Sequence, residues 1–168
     1  MKLKYLTLTV AAALTLAACS GGDKKEATPA KADGAAPAAT GNVIKIASVS
    51  PLSGGSANSG KDNQSGAMLA VEEINAKGGV DVAGKKYMLE LVSEDDAADP
   101  KQGTTVAQKI ADDKSISGVV GHYNSGVTMA AQPIYAGANL VAITPSATNP
   151  DVTVKAAKGS DGLTMMYR

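Results

Sequence analysis

Two polar segments of the chain carry residue types suited to binding a small ligand. They are Gly121–Ser125 and Thr144–Pro150, and each follows a short apolar run. Ser125 would lie at the amino end of a predicted helix, where unpaired N–H groups and the helix dipole favour an anion. Ser146 and Thr148 would add hydroxyl and backbone groups from the second segment. Together these residues predict a site for a small molecule that carries one carboxylate and one ammonium group.

A purely structural interpretation of the same residues stands beside this one. Asn124 or Ser125 would then only cap a helix, and Thr148-Asn149-Pro150 would only form a turn. A third polar loop, Ser50–Gly60, is expected at the same edge of the fold, and its Ser53-Gly54-Gly55 stretch permits a close backbone approach. The convergence of three such loops favours a binding site.

Catalysis finds little support in the sequence. His122 is the only histidine, and no spacing suggests a Ser–His–acid arrangement. No glycine-rich phosphate-binding motif is present either. We therefore predict a protein that is not an enzyme and needs no cofactor, with His122 as a structural residue packed behind its loop.

The acidic segment Glu94–Pro100 has two interpretations. A metal site is one, but acidic residues before a helix are also favoured by its dipole, and Asp99-Pro100 suits a helix start. We predict a solvated helix entrance and no metal. Because this segment would follow an edge strand, it is also expected to lie away from the ligand site.

Composition and charge restrict the class of protein. The chain has 168 residues, 44% of them hydrophobic, with neither Trp nor Phe, which indicates an aliphatic core. Its 16 basic and 16 acidic residues balance, so no nucleic-acid surface is expected. Its one cysteine, Cys19, has no partner within the chain for a disulfide.

The first 41 residues are interpreted as a targeting and linking segment. Residues 1–18 combine a basic start with an apolar run too short to span a bilayer comfortably. Leu16-Ala17-Ala18-Cys19 resembles the lipobox of bacterial lipoproteins, which implies cleavage before Cys19 and lipidation of its thiol; a plain secretory signal is the alternative. Residues 19–41, rich in Ala, Pro, Gly and Lys, are expected to form a flexible tether.

From residue 42 onward, apolar runs and helical patterns alternate. This alternation predicts an α/β fold with a flavodoxin-like parallel sheet flanked by helices, in strand order 2-1-3-4-5. Ligands bind such sheets at the switch point between the first and third strands. Pro133 is expected to kink or shorten the third helix, and Asp151–Asp161 is expected to be irregular. The predicted strands are Val43–Val49, Tyr87–Ser93, Ile116–Val120, Leu140–Ile143 and Leu163–Tyr167, and the predicted helices begin near Gly60, Pro100 and Ser125.

Several stretches of the chain resemble the branched-chain amino-acid binding proteins of ABC transporters, which have the type I periplasmic binding fold. They occur in the family's order across nearly all of residues 43–168. The matching stretches are Pro51-Leu52-Ser53-Gly54, Gly66-Ala67 with Glu73 to Val80, Asp95 to Gln102, Gly118 to His122, and Ile143 to Pro150.

The resemblance implies roles for individual residues. Ser125 and Thr148 would hold the α-carboxylate and α-ammonium groups of the ligand, and Ser146 would add backbone contacts. Tyr123 and Asn124 would border the pocket for the ligand's side chain. Ser59 stands where leucine-specific members tend to have a tyrosine, so the identity of the ligand is left open.

The resemblance also implies a location and partners. The chain is expected to be an extracytoplasmic lipoprotein, membrane-anchored through Cys19, that delivers an amino acid or related polar solute to an ABC permease. Residues 42–168 would form the amino-terminal lobe of a two-lobed protein. With the second lobe absent from this sequence, binding is expected to be weak or undetectable. A ligand-binding sensory domain of the same fold is the alternative function.

Overall fold

The computed structural model describes residues 42–168. The predicted signal peptide, Cys19 and the tether over residues 19–41 lie outside the described residues. Within the described part, no helix is both long and apolar enough to cross a membrane. The elements are β1 (Val43–Ser50), α1 (Ala57–Ala76), β2 (Val80–Val82), β3 (Lys85–Asp95), α2 (Pro100–Asp112), β4 (Ile116–Gly121), α3 (Ser125–Gly137), β5 (Ala142–Ile143), α4 (Asp151–Val154) and β6 (Met166–Tyr167).

The six strands form one sheet in the order β2-β3-β1-β4-β5-β6. All neighbouring pairs are parallel except β2 with β3, which form an antiparallel hairpin. Apart from β2, the order is the predicted 2-1-3-4-5, so the predicted fold class is confirmed. The hairpin was not predicted. Its turn at Ala83 and Gly84 has positive φ at both residues, which suits the twist of a two-residue hairpin.

One face of the sheet, covered by α2 and α3, carries the main core. The core side chains are mostly aliphatic, as expected from the composition, and Tyr135 is an aromatic exception that is fully buried. They include Ala47, Val49, Val106, Ala107, Ile110, Val119, Ala131, Leu140 and Ala142.

The opposite face is covered by α1, above β1 and β3. Apolar residues of the helix and the strands leave a groove of about 520 Å³ between them. The amino end of α1 is held tightly, because a side chain at Gly60 would collide with the carbonyl group of Pro51. This close approach brings the first turns of α1 next to the carboxyl end of β1.

Some predicted boundaries were wrong. Pro133 does not shorten the third helix, α3, which continues to Gly137 because Tyr135 and Ala136 pack into the buried interior; the alternative, a kink, stays a prediction. Asp151–Asp161 is not wholly irregular, because α4 occupies its first four residues and buries Val152. The last two strands are shorter than predicted. Asp99 caps α2 as predicted, accepting a hydrogen bond from Gln102 N at 2.8 Å.

Candidate ligand site

The site is built where β1 and β4 lie side by side and send their chains in different directions. β1 leads into α1 on one face of the sheet, and β4 leads into α3 on the other. The loops after these strands therefore separate and leave room at the carboxyl edge, as expected at a switch point. The loop after β5 lies beside them, because β5 pairs with β4.

Ser125 connects the two predicted binding loops. It is the first residue of α3, and its Oγ accepts hydrogen bonds from Thr148 N at 3.1 Å and Asn149 N at 3.2 Å. The Ser125 side chain is half-buried, whereas Thr148 is exposed. The structure thus brings together two of the sequence-predicted site residues that are 23 positions apart.

The amino end of α3 is left open for an acceptor. Asn124 precedes the helix, but its side chain makes no capping hydrogen bond, in contrast to Asp99 at the start of α2. The first-turn N–H groups of α3 thus have no side-chain cap, which is the arrangement that favours an anion. Asn124 Oδ1 is itself buried, and no residue of the described part donates a hydrogen bond to it.

Ser146 is held by a residue that the sequence reasoning missed. Asn63, two turns into α1, donates from Nδ2 to Ser146 Oγ at 2.9 Å. This contact joins α1 to the loop after β5 across the site. The sequence places Asn63 one helical turn after Ser59, on the same helix. Helical periodicity alone does not predict which residue its side chain would hydrogen-bond.

The remaining predicted residues border the same edge without side-chain hydrogen bonds inside the described part of the chain. Ser59 lies half-buried in the first turn of α1, and Tyr123 lies half-buried in the loop after β4. Thr148 uses its backbone instead. Its carbonyl oxygen accepts a hydrogen bond from Arg168 Nη1 at 2.8 Å.

His122 is fully buried behind its loop, in agreement with its predicted structural position. Its Nδ1 lies 2.7 Å from Asp96 Oδ2, and its Nε2 lies 3.0 Å from the hydroxyl of Tyr135. Both partners are also fully buried. Burial, with the negative charge of Asp96 as a second cause, raises the pKa of the Tyr135 hydroxyl well above its ordinary value.

The prediction for the acidic segment Glu94–Pro100, a solvated helix entrance away from the ligand site, was wrong in two respects. The segment is neither fully solvated nor separate from the site, because Asp96 is buried and Asp95 Oδ1 accepts a hydrogen bond from Leu52 N at 2.7 Å in the loop after β1. Burial opposes ionisation of Asp95, but hydrogen bonds from Ser53 and from the backbone of Ala97 and Leu52 outweigh it and hold its pKa below the ordinary value. Within residues 42–168, no group of three or more His, Cys, Asp or Glu side chains is arranged to hold a metal ion.

Fold and site together define a class: an α/β domain whose loops surround a switch point of the sheet, the place where such folds bind ligands. Residues 43–158 match the sequence profile of the periplasmic binding protein family. The chain belongs to that family, which confirms the resemblance seen in the sequence.

Individual relatives are branched-chain amino-acid binding proteins. The leucine-, isoleucine-, valine-, threonine- and alanine-binding protein of Pseudomonas aeruginosa is 43% identical over 117 residues, which are 70% of this chain and 30% of that protein. The Leu/Ile/Val-binding protein of Escherichia coli is 43% identical over 112 residues, 67% of this chain and 29% of that protein. The chain thus spans less than a third of the length of these relatives.

The solved structures similar to this chain include substrate-binding proteins of ABC transporters. The substrate-binding protein LivJ of Streptococcus pneumoniae in complex with isoleucine is 38% identical, with a TM-score of 0.60 over 65% of this chain and 30% of that one. An ABC transporter substrate-binding protein of Desulfitobacterium hafniense complexed with Leu is also 38% identical, with a TM-score of 0.55 over 66% of this chain and 30% of that one.

Proposed function

We propose that this chain belongs to an extracytoplasmic solute-binding lipoprotein that binds branched-chain or related amino acids and delivers them to an ABC permease. Residues 42–168 would supply one ligand-binding lobe. Residues 1–18 would be the signal peptide, and residues 19–41 would tether the lobe to a lipid anchor on Cys19. Binding without catalysis is the proposed activity.

The observation that carries the proposal is the meeting of Ser125 with the loop after β5. The Ser125 hydroxyl, whose oxygen already accepts from two backbone amides of the neighbouring loop, forms one small polar surface with the uncapped first turn of α3. The carboxylate of an amino acid is the anion that suits a surface of this size, since helix N–H groups stabilise it without a full counter-charge. The names of the relatives and of the solved complexes support an aliphatic amino acid as the ligand.

The ammonium group of the ligand needs acceptors, and the same surface offers them. Asn124 Oδ1 is buried without a hydrogen-bond donor, which costs about 1–3 kcal/mol in a folded protein. We propose that the Asn124 amide turns toward the ligand on binding, so that a donor on the ligand removes this cost. The hydroxyls of Thr148 and Ser146 would complete the polar contacts, with Tyr123 and Ser59 beside the ligand's side chain.

A titration followed by two-dimensional ¹H–¹⁵N NMR tests the site directly, because it reports weak and tight binding alike, residue by residue. L-Leucine should shift the amide signals of Ser125, Gly126 and Thr148 before others. Leucinamide, which lacks the carboxylate, and N-acetyl-leucine, which lacks the ammonium group, should both lose this response. Shifts scattered over the surface, or an equal response to leucinamide, would overturn the assignment.

Single substitutions sharpen the same test. Ser125→Ala should weaken leucine binding by about tenfold or more, since a hydrogen bond to a charged group is lost. Ser117→Ala is the matched control, because Ser117 is exposed at the start of β4 and its hydroxyl makes no hydrogen bond to the described residues. It should bind leucine as the parent does.

The proposed anchor has its own experiment. Expression in a bacterium supplied with a labelled fatty acid should label the chain, and Cys19→Ala should abolish both the label and sedimentation with membranes. Label retained in the Cys19→Ala protein would overturn the anchor while leaving the ligand site unaffected.

A further inference from the structure

Behind the proposed ligand loops lies a chain of three fully buried polar side chains, from Asp96 through His122 to Tyr135. Each comes from a different part of the fold: the loop after β3, the loop after β4 and the second half of α3. The two rings lie stacked, with centroids 5.9 Å apart and planes inclined by 27°. No step of ligand binding requires these residues to touch the ligand, and burying three polar groups is costly unless each is satisfied.

The hydrogen bonds of the neighbours determine where the protons lie. Asp96 Oδ1 already accepts a bond from Ala98 N at 2.9 Å, so Oδ2 is the oxygen that faces His122. A carboxylate only accepts, and Nδ1 of His122 must therefore carry the hydrogen. The Tyr135 hydroxyl, held in its protonated form, has no other acceptor in the described part of the chain, so it donates to Nε2. This single arrangement satisfies all three side chains.

The backbone of His122 extends the chain to the ligand loops. Its carbonyl oxygen accepts a hydrogen bond from Thr144 Oγ1 at 2.6 Å. Thr144 Oγ1 in turn accepts bonds from Ala147 N at 3.0 Å and Ser146 N at 3.4 Å. The orientation of the His122 residue is thereby linked to the backbone of the loop that carries Ser146 and Thr148.

We propose that Asp96, His122 and Tyr135 form a positioning relay, which sets the loop after β4 and, through Thr144, the loop after β5 in their ligand-binding geometry. As a proposal about this particular site, it rests on the proposed function. Its three members are positioning residues, because they act on the ligand only through Ser125, Ser146 and Thr148. The relay gives the site a rigid base made from side chains that the ligand never meets.

Two conservative substitutions, Tyr135→Phe and Asp96→Asn, test the relay in this chain without any ligand. Tyr135→Phe removes only the hydroxyl, and amide hydrogen exchange at Ser146, Ala147 and Thr148 should then quicken about threefold or more, relative to the most protected amides of β1. Tyr87→Phe is the matched control, because Tyr87 lies half-buried at the start of β3, near the opposite edge of the sheet, and its hydroxyl has no hydrogen-bond partner in the described part. It should leave exchange at the loop unchanged.

Asp96→Asn gives a spectroscopic signature that simple loss of packing would not produce. Because Ala98 N still needs an acceptor, the new amide must turn its NH₂ group toward His122, which forces Nδ1 to become the acceptor and Nε2 to carry the hydrogen. In the parent, the ¹⁵N chemical shift typical of a protonated ring nitrogen should therefore belong to Nδ1 of His122. In Asp96→Asn it should belong to Nε2. Unchanged signals, or loop exchange in Tyr135→Phe equal to that of the control, would overturn the relay.

A separate titration with L-leucine keeps the two proposals distinguishable. If leucine shifts amides scattered over the surface of the parent, or if leucinamide shifts Ser125 and Thr148 equally, the ligand assignment is wrong, whereas the exchange and ¹⁵N results still decide whether the relay holds the loops. If leucine binds the parent, Tyr135→Phe should bind it more weakly by about threefold or more, and Tyr87→Phe should not. Equal affinity in all three proteins would overturn the positioning role.

Discussion

Gly121→Ala should be among the most damaging single-methyl additions in this domain. Gly121 ends β4, has a φ of 148° and immediately precedes His122. A Cβ atom built at this position collides with the carbonyl oxygen of Val49, its neighbour in β1. Because the colliding atom is backbone in the middle of the sheet, rotation of a side chain cannot relieve the contact.

The expected cost has two parts. A non-glycine residue at this φ costs about 1–3 kcal/mol in backbone strain, and forcing an extra carbon into a packed interior costs about 1–3 kcal/mol more. We therefore expect unfolding free energy to fall by about 2–6 kcal/mol, a large share of the 5–15 kcal/mol typical of a domain. The midpoint of thermal unfolding should fall by at least about 6 °C.

Urea unfolding followed by far-ultraviolet circular dichroism measures this loss, since the chain has no tryptophan to report by fluorescence. Gly66→Ala is the control, because Gly66 lies exposed in α1 and an added Cβ meets no atom within 4 Å. Alanine in a helix interior is favoured over glycine, so this variant should gain about 0.5–1 kcal/mol. A Gly121→Ala protein within about 0.5 kcal/mol of the parent would refute the argument from the close approach to Val49.

Two further predictions concern the acidic segment and the helix starts. Because the folded-state pKa of Asp95 is lowered, its carboxylate stabilises the fold above the unfolded-state pKa, and this contribution should disappear as the pH falls through the folded-state value. Asp95→Asn should therefore flatten the loss of stability below about pH 4 measured by urea unfolding; a parallel acid profile would contradict this. Asp99→Ala should cost about 1 kcal/mol through loss of the α2 cap, whereas Asn124→Ala, which removes no capping bond, should not destabilise the fold. Equal losses in these two variants would show that side-chain capping does not distinguish the helices.

Much of the fold was predictable because local patterns and chain connectivity agree. Runs such as Val43–Val49 and Ile116–Val120 are too short and too rich in β-branched residues to be helices, and helical patterns separate them. Right-handed crossovers then allow few strand orders, and the expected one was found. The approach of Ser125 to Thr148 follows from the same reasoning. The two residues lie in the loops after β4 and β5, which are neighbouring parallel strands, so both loops begin at the carboxyl edge of the sheet.

The side-chain network could not be predicted in this way. Asp95 and Asp96 stand in a run of polar residues that resembles an exposed helix entrance, and only the pairing of β1 with β3 and β4 brings them to Leu52 and to the buried His122. Tyr135 lies one residue beyond Ile134 and two beyond Pro133, so the proline concealed the part of α3 that continues inward. Contacts of this kind depend on tertiary geometry, which sequence periodicity does not contain.

The register between β4 and β5 determines how the two proposed ligand loops meet. Val120 lies opposite Ile143, which ends β5, and the next residue of the chain is Thr144, whose hydroxyl donates to the carbonyl group of His122. A shift of one residue would present Ile143 or Pro145 at that position, and neither has a hydroxyl to donate. The loop after β5 would then lose its bond to the loop after β4, and Thr148 would lose its place beside Ser125. The proposed binding surface therefore depends on strand register, and the proposed relay would hold both loops in the geometry that this register allows.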